Sequence, residues 1–230
     1  MATGTDILNR VEDTLQDTTN VRWSDAELLR YINDAQREIA NLKPEASAKT
    51  DTVTLATGTR QTLPNDGLRL IKATRMMSDT VGNSGTGKRA VRLVDLDILN
   101  SQDPDWHDPD VTGVSAHGTN IKHYAFDPDD PKTFFVYPGV SGSAYLEVVY
   151  SKSPTDLASA SGTIDLDDIY LNPITDYVLY RAYQKDAEFA GNAQRAGTHY
   201  QLFTTSIGVG VQAENLINPN LDYSANKAVT

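Results

Sequence analysis

The stretch from Asn172 to Gly208, NPITDYVLYRAYQKDAEFAGNAQRAGTHYQLFTTSIG, decides how this chain is organised. Asn172 suits a helix cap and Pro173 the first helical position, where a missing N–H costs nothing. Ile174, Val178, Ala182 and Phe189, with Tyr177 and Arg181 beside them, recur at helical spacing. Gly191 offers a left-handed stop and Asn192 a new cap, after which Ala193, Ala196, Tyr200, Phe203 and Ile207 step by three and four. The spacing predicts a helical hairpin with one apolar stripe per helix, and such a stripe has to be buried against something.

The N-terminal region supplies a partner. Thr5 is the expected cap of a short helix with Leu8, Val11 and Leu15 on one side and Asp6 at its positive end. Asp17 to Asn20 breaks the pattern. Ser24-Asp-Ala-Glu27 reads as a capping box and Trp23 as a staple onto Leu28. Leu28, Ile32, Ala35, Ile39 and Leu42 then repeat until Lys43-Pro44 ends the run. The expected fold class is α+β. N- and C-terminal helix pairs, residues 1–48 and 165–208, form a helical bundle, with an antiparallel β domain, a small sandwich or barrel, inserted at 49–164. An extended C-terminal tail follows at 209–230.

The insertion is predicted to be strand-rich. Val53 and Leu55 alternate with threonines before Gly58; Arg60 to Pro64 follows, and Asn65-Asp-Gly67 reverses the chain. Strands are expected over 68–77, 90–94 and 144–150, with a hairpin of 121–126 and 133–137 across Asp127-Pro-Asp-Asp-Pro131. A short helix is expected around 94–99 and a long polar loop over 101–120. Past Gly208, Val209, Val211, Leu216, Ile217, Leu221 and Tyr223 are scattered among Asn, Gly and Pro, the pattern of an extended segment that orders against a partner.

A length of 230 residues is enough for a real core. Without cysteine, the chain can have no disulfide, thiolate metal site or cysteine nucleophile. No apolar run approaches the roughly 18 residues of a membrane span, and the first residues lack a secretion signal, so a soluble protein with no membrane contact is expected. A net charge of −11 argues against a reader wrapped round nucleic acid, though not against a surface past which nucleic acid slides. The charge is also segregated. Between Arg60 and Arg92 lie seven basic residues (Arg60, Arg69, Lys72, Arg75, Lys88, Arg89, Arg92) against Asp66 and Asp79, a balance of +5. Between Asp95 and Asp130 lie nine aspartates, among them Asp103, Asp105, Asp108 and Asp110, against Lys122, a balance of −8. Two unlike patches on one subunit suit head-to-tail contact between copies, which is what a ring requires. The expected subunit interface is therefore Arg60, Arg69, Arg75, Lys88 and Arg89 of one copy against Asp103, Asp105, Asp108 and Asp110 of the next.

Apparent catalytic motifs fail on their chemistry. Gly82 to Lys88 nearly matches a phosphate-binding loop, but Arg89 stands where Ser or Thr would hold magnesium, and no capped helix follows. Asp103 to Asp110 has His107 where a calcium loop needs Asp or Asn, and lacks the glycine and closing glutamate. Solvated Asp-Pro turns give no burial to raise a carboxyl pKa for glycoside hydrolysis. Gly139 to Ser143 lacks the last glycine of a nucleophile elbow and lies between strands. His107, His117, His123 and His199 are isolated, with His199 expected to be a packing residue. Tyr177, Tyr180, Tyr183 and Tyr200 fit core or interface positions better than a stacking platform for bases. No catalytic residue, metal or cofactor is expected.

Five segments carry a family resemblance: Trp23 to Gln36 (WSDAELLRYINDAQ), Gly58 to Pro64 (GTRQTLP), Lys122 to Pro128 (KHYAFDP), Lys132 to Pro138 (KTFFVYP) and Asp176 to Glu188 (DYVLYRAYQKDAE). Together they resemble the head-to-tail adaptor, or connector, proteins of tailed bacteriophages, a family related in plan to tail-tubular protein A. The resemblance implies a structural virion protein, not an enzyme. It would form a ring, dodecameric in the family, that sits beneath the portal at the head–tail interface and assembles in the host cytoplasm. Implied partners are further copies of itself, the portal protein, a tail or nozzle protein, and double-stranded DNA passing through the channel without sequence-specific binding. Val209, Val211, Leu216, Ile217, Leu221 and Tyr223 would touch the portal or a neighbouring subunit. Alternatives in the same setting are a stopper or tail-completion protein; a nucleotide-binding enzyme built on Lys88 is the reading from another class.

Overall fold

A computed structural model describes residues 1–79, 85–127, 129–189 and 191–217, with side chains as far as Gly208. Five α-helices and two β-sheets among these residues make an α+β protein. The chain divides into two compact units, one of residues 1–46 with 154 onward, the other of residues 47–153.

In the first unit, α1 (Gly4–Leu15) is capped by Thr3, not Thr5. The Thr3 hydroxyl accepts the Asp6 N–H at 3.3 Å while Asp6 accepts the Thr3 N–H at 2.8 Å, a reciprocal box. Thr5 is diverted, its hydroxyl donating to Ala160 O at 3.1 Å. Gly4 permits this approach, since a Cβ there would lie 2.8 Å from Ala160 O. α2 (Asp25–Leu42) starts after Ser24, but the expected capping box does not form. The Glu27 carboxylate is taken instead by Lys185 at 2.7 Å and the Tyr31 hydroxyl at 2.8 Å. Trp23 is buried and donates its indole N–H to Ala182 O at 3.3 Å. Leu28, Ile32, Ala35 and Ile39 are fully buried, each large one contributing about 1.5–3 kcal/mol.

α3 (Leu96–Gln102) belongs to the second unit; α4 (Leu171–Lys185) and α5 (Asn192–Ile217) complete the first. α4 is entered from a tight turn at Asp168–Tyr170, so Asn172 lies inside the helix and accepts from Arg10 at 3.1 Å rather than capping. The helix ends at Lys185, and Phe189, beyond it, lies under the Arg22 guanidinium with 4.4 Å to the ring centre. Gly191 takes the left-handed conformation, φ 88°. Ala196, Phe203 and Ile207 of α5 are buried while Ala193 and Tyr200 remain exposed. One apolar core unites α1, α2, α4 and α5 with Leu157, Ile164, Leu166 and Tyr170. Residues 154–164, expected in the insertion, are strapped to this core. Buried Asn33 accepts the Leu157 N–H at 2.8 Å and donates to its carbonyl at 3.2 Å, and the Ile164 N–H reaches Ala2 O at 3.0 Å.

The extended tail is corrected as far as it can be followed. α5 continues to Ile217, so Val209, Val211, Leu216 and Ile217 lie in a helix; Leu221 and Tyr223 lie outside the described residues. Gly208 and Gly210 are weak breakers, each costing about 1 kcal/mol relative to Ala, whereas Asn218-Pro219 is the first strong stop.

The second unit holds β1 (Ala48–Thr54), β2 (Gly58–Thr62), β3 (Gly67–Met77), β4 (Gly87–Ala90), β5 (Arg92–Leu93), β6 (His123–Phe126), β7 (Thr133–Val140) and β8 (Tyr145–Lys152). They form two open sheets of order β1-β8-β3-β4 and β2-β7-β6-β5; only β5 and β6 pair in parallel. The closed-barrel alternative is thereby excluded, because among the described residues each sheet has two outer strands that pair on one side only. Phe134, Val136 and Val140 of one sheet and Leu146, Val148 and Tyr150 of the other belong to one apolar core.

β3 departs from ordinary strand periodicity. Its pairing with β8 shifts between Gly67 and Arg69, between Leu70 and Lys72, and between Ala73 and Arg75, leaving Leu68, Ile71 and Thr74 as extra residues. Burial consequently recurs every third residue, at Gly67, Leu70, Ala73 and Met76. The polar stretch after α3, expected as a plain loop, carries a buried anchor. Trp106 is fully buried with Leu99 and Ala125 against Phe135 and Tyr137, a small second core.

Candidate assembly surfaces

The three bulges bring basic side chains into one file. Arg69, Lys72 and Arg75 pair with Ser151, Val149 and Glu147, alternate residues of β8 whose side chains point away from the Leu146, Val148 and Tyr150 core. The file therefore advances by two strand residues, about 6.8 Å, per basic group. Arg75 forms an ion pair with Glu147 at 2.9 Å. Arg69 and Lys72 are exposed, as are Arg60 on β2 and Lys88 and Arg89 on β4, and none of these has an ion-pair partner among the described residues. Lys88 sits within a strand that leads to β5, not at the start of a helix, so the phosphate-loop arrangement is absent at its lysine.

On the acidic side, Asp105, Asp108 and Asp110 are exposed. Asp108 accepts the Asp110 N–H at 2.9 Å, which stiffens that turn. Asp103 differs. Its carboxylate accepts from the Ser115 hydroxyl and, at 3.2 Å, from the Tyr137 hydroxyl, tying the segment to β7. The structure thus brings Asp103 into an internal network rather than to a free surface.

Around Trp106, the His107 ring lies 3.8 Å from the indole and shares a 2.7 Å hydrogen bond with the Thr59 hydroxyl. His107 is exposed as a residue, but partial desolvation of its ring against Trp106, with repulsion from His117, holds it below its ordinary pKa. His117 Nε2 bonds to Trp106 O at 3.2 Å, and its ring lies against Gly139, where a Cβ would come within 2.4 Å. Burial likewise lowers His123, with Arg89, Arg92 and Lys122 adding to the effect. His199 bonds to Asp176 at 2.9 Å and stacks on Tyr183, centres 5.7 Å apart, which accounts for it as a packing residue. Among the described residues, no group of three or more His, Asp or Glu could hold a metal ion, and no helix is long and apolar enough to cross a membrane.

A groove of about 520 Å³ lies beside β5, lined by Leu93, Val94, Asp95, Leu96, Asp97 and Phe126. Sequence reasoning does not single it out, because Leu93 and Phe126 are distant in the chain. Their one signal is the placement of large apolar residues on short strands flanked by charge.

The sequence matches the SU10 adaptor protein family over residues 2–221. No curated protein matches it. A match spanning nearly the whole chain covers both units and agrees with the adaptor resemblance of its five segments; the chain belongs to the SU10 adaptor protein family.

Proposed function

We propose that the chain is a structural virion protein, a head-to-tail adaptor whose copies assemble into a ring beneath the portal, join capsid to tail and continue the DNA channel. Membership of an adaptor family supports a structural rather than enzymatic role and a place in the virion. The observation that carries ring formation is the segregated, unmatched charge of the second unit. Arg69, Lys72, Lys88 and Arg89 lack ion-pair partners among the described residues, as do Asp105, Asp108 and Asp110. A heterologous contact between copies would match the two sets, and such contacts form a ring when the rotation from copy to copy closes. Dodecameric stoichiometry follows the family resemblance. The four helices sharing one core would act as a bundle that holds the β unit in register with its neighbours. The C-terminal turns of α5, with Leu221 and Tyr223 beyond them, would grip the portal or a neighbouring copy. A net charge of −11 suits a conduit, since cationic walls would bind DNA tightly and salt-dependently.

The test is electron microscopy of portal-bearing heads incubated with the protein. A ring added below the portal is expected, with weaker addition for an Arg69→Glu, Lys72→Glu, Arg89→Glu variant and for a chain ending at Gly208. Heads that remain bare at saturating protein would overturn the reading.

A further inference from the structure

Two strand edges that are unpaired among the described residues stand almost next to each other in the sequence. β4 is the outer strand of one sheet and β5 of the other, and buried Val91 is all that separates them. Arg92 N–H bonds to Lys122 O at 3.1 Å and Val94 N–H to Tyr124 O at 2.9 Å, so the intervening Leu93 directs its own main-chain groups away from the sheet. Beside this edge lies the groove described above. Leu93 is 56% exposed and Phe126 37%. A free strand edge alongside uncovered apolar side chains is a surface that proteins normally cover. Its lip is acidic. Asp95 caps α3 by accepting the Asp97 N–H at 2.8 Å, and neither carboxylate has an ion-pair partner among the described residues.

We infer that this groove receives the β4 strand of a second copy of the chain. All four residues of β4 are exposed. Lys88 and Arg89 offer the charges that Asp95 and Asp97 lack, while Gly87 and Ala90 are small enough for main chains to approach. Strand addition contributes main-chain hydrogen bonds at the Leu93 edge, and the paired charges set the register. The giving strand β4 and the receiving β5 edge lie in different sheets of one unit, so each copy fills one groove and offers one strand. Passed on from copy to copy the contact is head-to-tail, whereas a reciprocal exchange between two copies would stop the double-variant ladder described below at a dimer and overturn the inference. The inference rests on the ring reading and specifies where neighbouring copies meet.

The absence of cysteine makes the test clean, because any introduced thiol is unique. Arg89→Cys and Asp97→Cys chains, mixed, assembled on portal-bearing heads and treated with a short bis-maleimide, are expected to give a covalent dimer. The Arg89→Cys, Asp97→Cys double variant is expected to give a ladder of linked copies. Either single variant alone should stay monomeric on a denaturing gel. An Asp95→Lys, Asp97→Lys chain should lose ring assembly and regain it when mixed with a Lys88→Glu, Arg89→Glu chain. Rings that form without cross-linking in the mixture, or a single variant that cross-links to itself, overturn the strand-in-groove contact and leave the ring reading intact. Absence of rings for the unaltered chain overturns both.

Discussion

The two units treat their charged side chains differently. In the helical unit several of them are paired within the chain, across long sequence distances: Arg22 with Asp186, Lys185 with Glu27 at 2.7 Å, Arg37 with Asp156, and the terminal amino group with Asp168 at 3.1 Å, while Arg30 and Arg195 have no ion-pair partner among the described residues. The β unit pairs Lys49 with Asp51 at 2.9 Å and Arg75 with Glu147, yet leaves Arg69, Lys72, Lys88 and Arg89 unmatched by Asp95, Asp97, Asp105, Asp108 and Asp110. Exposed pairs contribute at most about 1 kcal/mol each, so the contrast concerns specificity more than stability. The ion pairs of the helical unit join its own distant segments, whereas Arg69, Lys72, Lys88 and Arg89 of the β unit join none among the described residues.

The largest expected effect tests whether the acidic segment is held as firmly as the contrast requires. Trp106→Ala removes the fully buried anchor of that segment and should cost about 3–5 kcal/mol in a urea melt. A loss under about 1 kcal/mol would mean that the acidic loop is not fixed and offers no defined patch. Next come the charges themselves. Lys185→Ala should destabilise by up to about 1 kcal/mol, whereas Lys72→Ala should stay within about 0.5 kcal/mol of the parent and weaken assembly instead. Equal stability losses at the two lysines would erase the contrast.

The smallest effect is a difference in acid response. In the folded chain His107 and His123 have pKa values below their ordinary value, so their contribution is complete above about pH 6.5 and is lost as pH falls. Glu27, held down mainly by its hydrogen bond from Lys185, and Asp17, held down by backbone N–H groups from Trp23, Arg22 and Val21, contribute fully above about pH 4.3 and weaken below it. Glu12, raised by burial and by Asp25, acts in the opposite sense and reduces the helical unit's response further. Between about pH 6.5 and 4.5 the β unit should therefore soften first. Each unit carries one tryptophan, so thermal melts followed by fluorescence in Trp23→Phe and Trp106→Phe chains separate the two. A helical unit that melts earlier on mild acidification contradicts this order.

Much of the helical unit is legible in the sequence because its stripes and stops are local: Leu28 to Ile39 and the Gly191 turn read directly. The caps are not, since Thr5 and Glu27 are claimed by Ala160 and Lys185, partners far along the chain. That α5 runs on past Gly208 to Ile217 is hidden because Gly208 and Gly210 mimic a terminator. Trp106 is hidden for another reason: it sits in an Asp-Pro stretch whose composition signals solvent. Of the candidate surface, the two charge clusters are plain in the sequence. That Asp103 is bound internally, and that Leu93 and Phe126 flank one groove, depends on strand pairing that no local pattern encodes.

In β3, eleven residues run beside eight of β8, from Tyr145 to Lys152. In a regular strand, a residue gained or lost turns every later side chain to the opposite face. Here each bulge already absorbs one surplus residue while the next pair returns to its rung. Residues three apart, which a regular strand would turn to alternate faces, thus share one face, and losing a single surplus residue would send the rest of the basic file toward the core side.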